Sequence, residues 1–451
     1  MIDDLRSQLQ AVEEWGDLAR VSREVDPRGF EIPAISKKLE ADKAVFFEKV
    51  KGYSLPVVVG LDNSHARIAR ALGTDDYGLT ERYLSAIRRP LPAVPVSDGP
   101  VKEVKITKGI DLLGLLPVIT HYEKDGGPYI TSGLVIAEDP ANRVRNVSYH
   151  RLQITGKDEI RLLIQPRHLY KLYTDREREN KPLPVAIVIG LDTAIRLCGA
   201  TWGSLIPLGL DELAIAGALR GKAVEIVRAE TQEVMVPAKA EIVIEGEILP
   251  TLRKTEGPFA EFTGTYGDVW ENPVLKVTAV THRKNPIYQD LLTFTPEHHL
   301  LLAVPYEPVV YEAIRTYVPG ARAVHVTPSS CGKFHAVVAI KKEHEGDGKD
   351  AILAGLYAVR DIKLVTVVDD DVDPFNPRDV EWAIATRFQA DRDLVVIAGA
   401  KGNELDPSCP QLALTAKMGI DATKPLTRSE RFEKIRIPGI EKINLREYLK
   451  P

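Results

Sequence analysis

In the first quarter of the chain, hydrophobic positions recur with the period of a helix in some segments and form strand-like runs in others. Apolar residues recur at helical spacing over residues 5–14, and a strand-like segment follows them. Apolar runs at residues 44–48 and 55–60 are typical of buried strands, whereas residues 64–73 begin with an N-capping serine and end at a glycine, as a helix would. This alternation predicts an α/β domain over residues 1–115.

The middle of the chain changes to many short β-like runs rich in Val, Ile and Leu. Clear examples are residues 133–138, 161–165, 185–190 and 240–246. Only one strong helical pattern interrupts these runs, at residues 210–220, and its acidic start suits a helix N-terminus. We therefore expect a β-rich domain over residues 116–305.

Helical and strand patterns alternate again in the last third of the chain. Residues 351–360 have helical spacing, and residues 363–371 form an apolar run that ends in three aspartates. A third domain, of α/β type, is expected over residues 306–451. The predicted fold class is therefore α+β and multidomain, with α/β domains on both sides of a β-rich centre.

Composition narrows the class of protein. A chain of 451 residues exceeds the usual size of a single core, which agrees with several domains. The formal net charge of -5 gives no basic excess, so we expect no nucleic-acid partner. The chain opens with acidic residues and has no run approaching about 18 apolar residues, so we expect a cytoplasmic protein without a membrane segment.

Cysteine usage gives no sign of a zinc or redox motif. The three cysteines, Cys198, Cys331 and Cys409, lie far apart and form no CxxC pair. Free thiols are the expectation.

Two acids frame a sharp break in the stretch EGPFAE. Glu256 and Glu261 are separated by an odd offset, which on a regular strand would send their side chains to opposite faces. Gly257 and Pro258 cannot continue a strand ladder, so a local bend can bring both carboxylates together. A surface turn with two solvated acids is the alternative.

A second set of polar residues has the chemistry of a metal site. Asn146, His168 and Glu212 offer oxygen, nitrogen and oxygen ligands, which suit a divalent ion such as Mg²⁺ or Mn²⁺. So little protein charge is typical of a metal that bridges a phosphate to the protein, which implies a phosphorylated cofactor. Arg167 and Lys417 are candidates to assist that phosphate. Alternatively, each residue is ordinary strand polarity, a solvated histidine or a helix-dipole acid.

Six motifs, taken in order, resemble the UbiD family of reversible, non-oxidative decarboxylases that use prenylated FMN. They are Asn146-x-Ser-x-x-Arg151, Pro166-Arg-His168, the Asp211-Glu212 helix start, VPAKAEIVIEG ending at Gly246, Glu256-Gly-Pro-Phe-x-Glu261 and KMGIDAT ending at Thr423. The resemblance covers nearly the full length of the chain. For the fold, it implies that the central domain is a split β-barrel of the flavin-reductase type, which binds the cofactor.

The resemblance also implies a set of cofactor ligands. Asn146, His168 and Glu212 would hold Mn²⁺ or Mg²⁺ against the prenylated FMN phosphate, with a K⁺ ion nearby. The residues expected to line the cofactor are Asn146, Ser148, Tyr149, His150, Arg151, Arg167, His168 and Lys417. Some relatives have Gln at position 167, so Arg167 is expected to change how the flavin or its phosphate is held.

The catalytic roles follow from the same resemblance. In the family mechanism the substrate forms a covalent adduct with prenylated FMN, CO₂ departs, and a carboxylic acid protonates the carbon that carried it. We assign that acid to Glu261, with Glu256 holding Arg151 in a Glu-Arg-Glu network. The reverse reaction, a physiological carboxylase, and a catalytically silent flavin-binding partner subunit are the alternatives.

The substrate is expected to be a small aromatic or heteroaromatic, α,β-unsaturated carboxylic acid. His298 and His299 are the specificity candidates, unless one of them caps the helix that starts near Pro296 and the other is solvated. Residues 305–308 contain no basic side chain, so a second carboxylate has no evident partner there. The resemblance further implies a flavin prenyltransferase as cofactor supplier and a homodimer or homohexamer formed through the C-terminal domain.

Overall fold

The computed structural model describes residues 2–139, 143–201, 206–411, 413–427, 429–432, 434–435 and 437–448. Helices and strands are numbered in chain order. Up to residue 115 they are α1 (Leu5–Glu14), β1 (Leu18–Val21), α2 (Glu31–Leu39), β2 (Ala44–Phe47), β3 (Val57–Val59), α3 (His65–Ala71), α4 (Asp76–Arg88), β4 (Val94–Pro95), β5 (Val104–Ile106) and α5 (Leu112–Leu115).

The central elements are mostly strands. They are β6 (Tyr129–Ile130), β7 (Leu134–Glu138), β8 (Arg145–Tyr149), β9 (Leu152–Ile154), β10 (Glu159–Leu162), α6 (His168–Arg178), β11 (Leu183–Ile189), α7 (Thr193–Ala200), α8 (Glu212–Arg220), β12 (Glu225–Arg228), β13 (Met235–Pro237), β14 (Ile242–Glu256), β15 (Phe259–Ala260), β16 (Tyr266–Gly267), β17 (Trp270–His282) and β18 (Tyr288–Gln289).

Helices and strands alternate in the C-terminal part. They are α9 (Pro296–Ala303), α10 (Glu307–Tyr317), β19 (Ala321–Val326), β20 (His335–Ile340), α11 (Asp347–Ala358), β21 (Leu364–Asp369), α12 (Pro377–Arg387), β22 (Leu394–Lys401) and β23 (Leu414–Ala422). Short 3₁₀ turns occur at Pro100–Lys102, Pro328–Ser330, Ser429–Phe432, Ile440–Lys442 and Leu445–Glu447.

A nine-stranded antiparallel sheet forms the centre of the molecule and curls into a half-barrel. Its strand order is β6-β9-β10-β17-β14-β11-β7-β8, with β5 paired to β17. The two long strands β14 and β17 pair with register shifts at Glu245/Gly246 and Ile248/Arg253, and such irregularities bend a sheet. Two large apolar cores contain its alternate side chains, one packed with α5 and α6, the other with α7 and α8. The predicted fold class is confirmed.

The end sheets complete the architecture. The N-terminal sheet has the order β1-β2-β3-β18, and the C-terminal sheet has the order β19-β20-β21-β23-β22. The C-terminal sheet carries helices on both faces, α10 and α11 on one and α12 on the other. Two strands pair in the sheet of another part of the chain: β5, from the N-terminal part, pairs with β17 of the central sheet, and β18, from the central part, pairs with β3 of the N-terminal sheet. The domain boundaries at residues 115 and 305 stay predictions.

The expectation of a single central helix is wrong, because α6 and α7 precede the predicted α8. All seven residues at Thr193–Gly199 in α7 are buried, so this helix lacks the polar stripe by which sequence periodicity is recognised. The strand predicted at residues 161–165 is also displaced, since β10 ends at Leu162. Pro166, which follows, cannot donate to a strand ladder.

Candidate active site

Two carboxylates meet one guanidinium at the end of the long strand β14. Arg151 lies between β8 and β9, Glu256 is the last residue of β14, and Glu261 follows β15. Arg151 Nη2 and Nε donate to Glu256 Oε2 at 2.7 and 3.1 Å, and Nη1 donates to Glu261 Oε1 at 2.5 Å. Both acids therefore face the same side of the half-barrel.

The break between the two acids explains how they converge. Gly257 has a φ of 101°, which favours glycine, and the peptide bond to Pro258 is cis. A Cβ on Gly257 would lie 3.1 Å from the Asp268 carbonyl oxygen, so a larger residue is disfavoured on both counts. After the break, the Glu261 amide donates to the Thr265 carbonyl at 2.9 Å, which fixes the second acid in a turn.

Glu256 is completely buried and surrounded by donors. Tyr129 Oη donates to its Oε1 at 2.8 Å, and Asn272 Nδ2 donates to its Oε2 at 2.8 Å. Burial, followed by the charge of Glu256, raises the pKa of Tyr129, which stays a neutral donor. With Arg151 this gives the carboxylate the partners that a buried anion requires.

Glu261 has a different environment. Its side chain is 14% exposed, and burial raises its pKa above the usual range for a glutamate. Arg151 and Lys333 lower that pKa in part, while Glu256 raises it further. Burial thus favours the protonated form of Glu261, and the exposed part of its side chain gives it access to solvent protons.

Lys333 is a third charged group beside this pair, and it lies in the loop before β20. Its Nζ is 4.5 Å from the centre of the Phe262 ring and 3.9 Å from Asp361 Oδ2. Only 12% of the side chain is exposed, and burial lowers the pKa of Lys333 to about 8. The ammonium therefore faces the site with little solvation, a state that favours an anionic partner.

The loop that carries Lys333 packs directly on helix α9. Cys331 and Gly332 both have left-handed backbone conformations, with φ of 61° and 66°. A Cβ on Gly332 would lie 2.2 Å from the His299 carbonyl oxygen, so only glycine permits this approach.

His298 and His299 lie in the first turn of α9. Thr295 caps this helix by accepting from the His298 amide, so neither imidazole is the cap. His299 is buried and its Nε2 donates to the Phe262 carbonyl at 2.8 Å. His298 Nδ1 accepts from the Phe294 amide at 3.3 Å, which leaves the proton of a neutral imidazole on Nε2. Burial, then His299 and Lys333, lowers the pKa of His298 to about 3.

Two of the three predicted metal ligands are in contact. Asn146 Nδ2 donates to Glu212 Oε1 at 3.2 Å, and Ser148 Oγ donates to Asn146 Oδ1 at 3.0 Å. Glu212 Oε2 is buried without a hydrogen-bond partner among the described residues, and burial raises the pKa of Glu212 to about 8. An unpartnered buried carboxylate oxygen beside an amide fits a bound divalent cation.

His168 begins helix α6, which packs against β8, the strand that carries Asn146. Within the described chain no hydrogen bond links His168 to Asn146 or Glu212. Burial, followed by Arg167, lowers the pKa of His168, so its imidazole is neutral and able to bind a metal. Arg167 is exposed at the N-cap of the same helix.

The other predicted cofactor residues are divided between two places. His150 Nε2 shares a hydrogen bond of 3.0 Å with Ser148 Oγ, and burial lowers the pKa of His150 to about 4. Tyr149 is half-buried on β8. Lys417 instead lies buried on β23, where its Nζ donates to the carbonyls of Leu356 and Arg360 at 2.6 and 3.1 Å.

Three residues near the acids were absent from the predicted site: Tyr129, Asn272 and Lys333. Tyr129 and Asn272 gave no signal, because they lie on strands of ordinary composition. The run Cys-Gly-Lys-Phe at residues 331–334 gave a weak one, since glycine beside a lysine between two strand patterns marks a tight loop with a charge.

Family models match nearly the whole chain. They are those of the UbiD family, 3-octaprenyl-4-hydroxybenzoate carboxy-lyase, with its N-terminal domain at residues 9–87, its Rift-related domain at 93–296 and its C-terminal domain at 299–422. The chain is 38% identical over 422 residues to anhydromevalonate phosphate decarboxylase of Methanothermobacter thermautotrophicus, covering 93% of this chain and 97% of that protein. It is 34% identical over 432 residues to gallate decarboxylase of Lactiplantibacillus plantarum, covering 89% and 88%.

Solved structures give the same result. The UbiD-class enzyme HmfF from Pelotomaculum thermopropionicum in complex with FMN superposes with a TM-score of 0.95 at 46% identity, covering 99% of this chain and 100% of that one. The 3,4-dihydroxybenzoic acid decarboxylase of Enterobacter cloacae superposes with a TM-score of 0.91 at 32% identity, covering 97% of each chain. Among the described residues, no helix combines the length and apolarity that crossing a membrane requires.

Proposed function

This chain belongs to the UbiD family of carboxy-lyases, and on that premise we propose that it reversibly decarboxylates a small aromatic or heteroaromatic, α,β-unsaturated acid on prenylated FMN. The observation that carries the proposal is the pair of unlike acids on Arg151: a buried Glu256 with several donors and a Glu261 whose pKa burial raises. Prenylated FMN, when bound, supplies the electron sink that loss of CO₂ from an sp² carbon requires.

Arg151 has the hydrogen-bonding capacity to orient the substrate carboxylate. Its guanidinium carries five N–H bonds, of which three are used by Glu256 and Glu261. The remaining two, one on Nη1 and one on Nη2, are available to donate to a substrate carboxylate. Glu256, held in turn by Tyr129 and Asn272, keeps the guanidinium in place.

Glu261 is the proposed proton donor. In its neutral form it delivers a proton to the carbon that carried CO₂, and the resulting anion is stabilised by Arg151 and Lys333. Its partly exposed side chain can then take a proton from solvent. Carboxylation would use the same groups in the opposite order, so the geometry leaves the physiological direction open.

The proposed cofactor site combines prenylated FMN with Mn²⁺ or Mg²⁺ and with K⁺. We assign the divalent ion to Asn146, His168 and Glu212, which the unpartnered Glu212 oxygen supports. The further residues that we propose for the flavin and its phosphate are Ser148, Tyr149, His150, Arg151, Arg167 and Lys417. Ser148 is hydrogen-bonded both to Asn146 and to His150.

Aromatic substrates are supported by the neutral His298, whose Nε2–H can donate to a ring heteroatom or hydroxyl, and by relatives named for gallate and 3,4-dihydroxybenzoic acid.

A second candidate substrate is an unsaturated acid that carries another anionic group besides its carboxylate. The weakly solvated Lys333 favours it, and several relatives are named as anhydromevalonate phosphate decarboxylases. Lys333 would supply the cation that residues 305–308 lack.

Assembly into a homodimer or homohexamer is part of the proposal. Apolar side chains are exposed along the C-terminal segment (Ile435, Ile437 and Tyr448), on helix α11 (Tyr357) and on β22 of the C-terminal sheet (Val396). An evolved form of HmfF is described as dimeric. Light scattering of the purified protein measures the number of chains.

The test is a substrate screen on holo-protein produced together with a flavin prenyltransferase. Aromatic monocarboxylic acids and unsaturated aliphatic acids bearing a phosphate are incubated in D₂O, and CO₂ release and deuterium in the product are measured. Release from the aromatic acids supports the first candidate, and release from the phosphate-bearing acids supports the second. Protein that contains prenylated FMN but acts on neither class would favour the silent partner subunit.

A further inference from the structure

A cluster of three side chains of types that can bind a metal ion lies where the N-terminal helix α3 meets α10 and β19 of the C-terminal part, and it includes none of the candidate active-site residues. His65 begins α3, Glu307 begins α10, and His325 lies on β19. One ligand atom from each residue can be chosen so that all three lie within 4.8 Å of one another. In the part of the chain that the structure describes, this is the one such group of three His, Cys, Asp or Glu residues.

The spacing of the ligand atoms is close to that of a metal site. His65 Nε2 lies 3.1 Å from Glu307 Oε2, and His325 Nδ1 lies 3.1 Å from Glu307 Oε1. Around a tetrahedral ion with metal–ligand distances of about 2.0 Å, neighbouring ligand atoms are about 3.3 Å apart. A small adjustment of the side chains would therefore admit an ion.

The surroundings of the group supply what such a site needs. Asp76 Oδ1 lies 2.6 Å from His65 Nδ1, so it fixes the ring and directs Nε2 toward Glu307, as carboxylates behind metal-bound histidines do. Glu307 is 1% exposed. The Phe375 ring packs against both imidazoles, with 4.9 Å between ring centres, and shields them from water.

We propose that His65, Glu307 and His325 bind a divalent transition-metal ion that joins the N-terminal helices to the C-terminal sheet. Two imidazoles and one carboxylate suit Zn²⁺ better than Mg²⁺, which prefers oxygen ligands. This ion is separate from the one assigned to Asn146, His168 and Glu212. Its role is structural, because it would join helix α3 to α10 and β19, which lie more than 200 positions later in the chain.

A protonated His65 is the competing occupant of the same place. Both of its ring nitrogens face carboxylates, and although burial opposes the charged form, Glu307 and Asp76 raise the pKa of His65 to about 9. Either a proton or a metal ion can balance these carboxylates, so the experiment must separate the two.

The experiment measures bound metal in the full-length holo-protein after dialysis against ZnCl₂ and then against buffer, by inductively coupled plasma mass spectrometry. Wild type is compared with His325→Ala, Glu307→Gln and Glu212→Gln. His335→Ala is the matched control, since His335 lies on the neighbouring strand and bonds to Thr366 Oγ1. We expect His325→Ala and Glu307→Gln to lose zinc that wild type, Glu212→Gln and His335→Ala retain.

Two outcomes would overturn the proposal. If wild-type protein retains no more zinc than His325→Ala, the site holds no metal ion, and a protonated His65 balances the carboxylates instead. Loss of zinc in Glu212→Gln alone would place the ion at the cofactor site. Because the variants remove buried groups, the absorption spectrum of Co²⁺ bound to wild type is a second measurement: a tetrahedral spectrum supports the site, and its absence contradicts it.

Discussion

Glu256 has no exposed surface, whereas Glu261, on the same guanidinium, keeps 14% of its side chain exposed. The buried acid accepts hydrogen bonds from a phenol, an amide and Arg151, while burial raises the pKa of the other. The two carboxylates therefore differ in solvent exposure and in hydrogen-bond partners, despite sharing Arg151.

Glu261→Gln should abolish most turnover, because glutamine cannot supply the proton. Loss of a general acid lowers kcat by roughly 10²- to 10⁴-fold. Turnover and deuterium incorporation are measured on variant protein that retains flavin and metal in wild-type amounts. Unchanged decarboxylation by such protein would remove Glu261 from the role of proton donor.

Tyr129→Phe should slow turnover and destabilise the fold, since Glu256 loses one of its donors. A hydrogen bond to a charged group contributes roughly 1.5–3 kcal/mol to the free energy of unfolding. Tyr173→Phe is the control, because Tyr173 Oη donates to Glu177 away from the site. Both variants should unfold at lower denaturant concentration, and only Tyr129→Phe should lose activity. An equal loss of kcat in both would contradict the role given to Tyr129.

The pH dependence of the reaction should report Lys333 if the substrate carries a second anion. Burial lowers the pKa of Lys333 to about 8, so its ammonium is present below pH 8 and is lost above it. We expect kcat/KM for such a substrate to fall as pH rises through about 8, and the fall to disappear in Lys333→Met. Lys363→Met is the control, since Lys363 is paired with Asp406. A profile that is the same in wild type and Lys333→Met would exclude this role.

The free energy of unfolding should also depend on pH through Lys333, and the direction of that dependence follows from its lowered pKa. The folded pKa of Lys333, about 8, lies below its ordinary value of 10.5, so the unfolded chain binds more protons between these values. The Lys333 contribution to the free energy of unfolding therefore increases from about pH 8 to 10.5. Chemical denaturation across this range should give a smaller slope for Lys333→Met than for wild type.

The two neighbouring histidines should respond differently to substitution. His299→Ala removes a donor to the Phe262 carbonyl, and leaving a buried group unsatisfied costs about 1–3 kcal/mol. His298→Ala should leave the free energy of unfolding nearly unchanged but raise KM or alter substrate preference. Denaturant unfolding and steady-state kinetics measure the two effects. A loss of stability in His298→Ala as large as that in His299→Ala would assign both rings to packing.

Glu212→Gln should weaken retention of Mn²⁺ and flavin, because the unpartnered carboxylate oxygen is replaced by a neutral amide. Glu225→Gln, a change of the same charge on β12, is the control. Metal and flavin content after gel filtration should fall only in the first variant. Equal retention in both would move the cofactor metal elsewhere.

The stretch EGPFAE shows what the sequence could supply. Gly257 and Pro258 indicate a break in the strand, and the structure has that break with both acids on Arg151. Arg151 and Glu256 are separated by 105 positions, so their contact could be anticipated only from a family resemblance. The α/β, β, α/β succession was readable because each element has its own apolar period.

The burial of individual side chains could not be predicted from the sequence. Lys333 has an unusual pKa because Phe262 and its neighbours exclude water from it, and those neighbours come from other segments. Lys417, which stays a predicted cofactor residue, donates from Nζ to the carbonyls of Leu356 in α11 and Arg360 just after it, a pairing that no local motif encodes. Helix α7 was missed for the same reason, since a helix buried all round has no polar face.

The close approach of Gly332 to the His299 carbonyl packs the loop before β20 directly on helix α9. Lys333 follows the glycine and His298 precedes the carbonyl, so the same backbone packing positions both side chains. Substitutions at Lys333 and His298 should therefore affect substrate preference together rather than independently. A bulkier residue at position 332 would separate the cation from the imidazole without altering either.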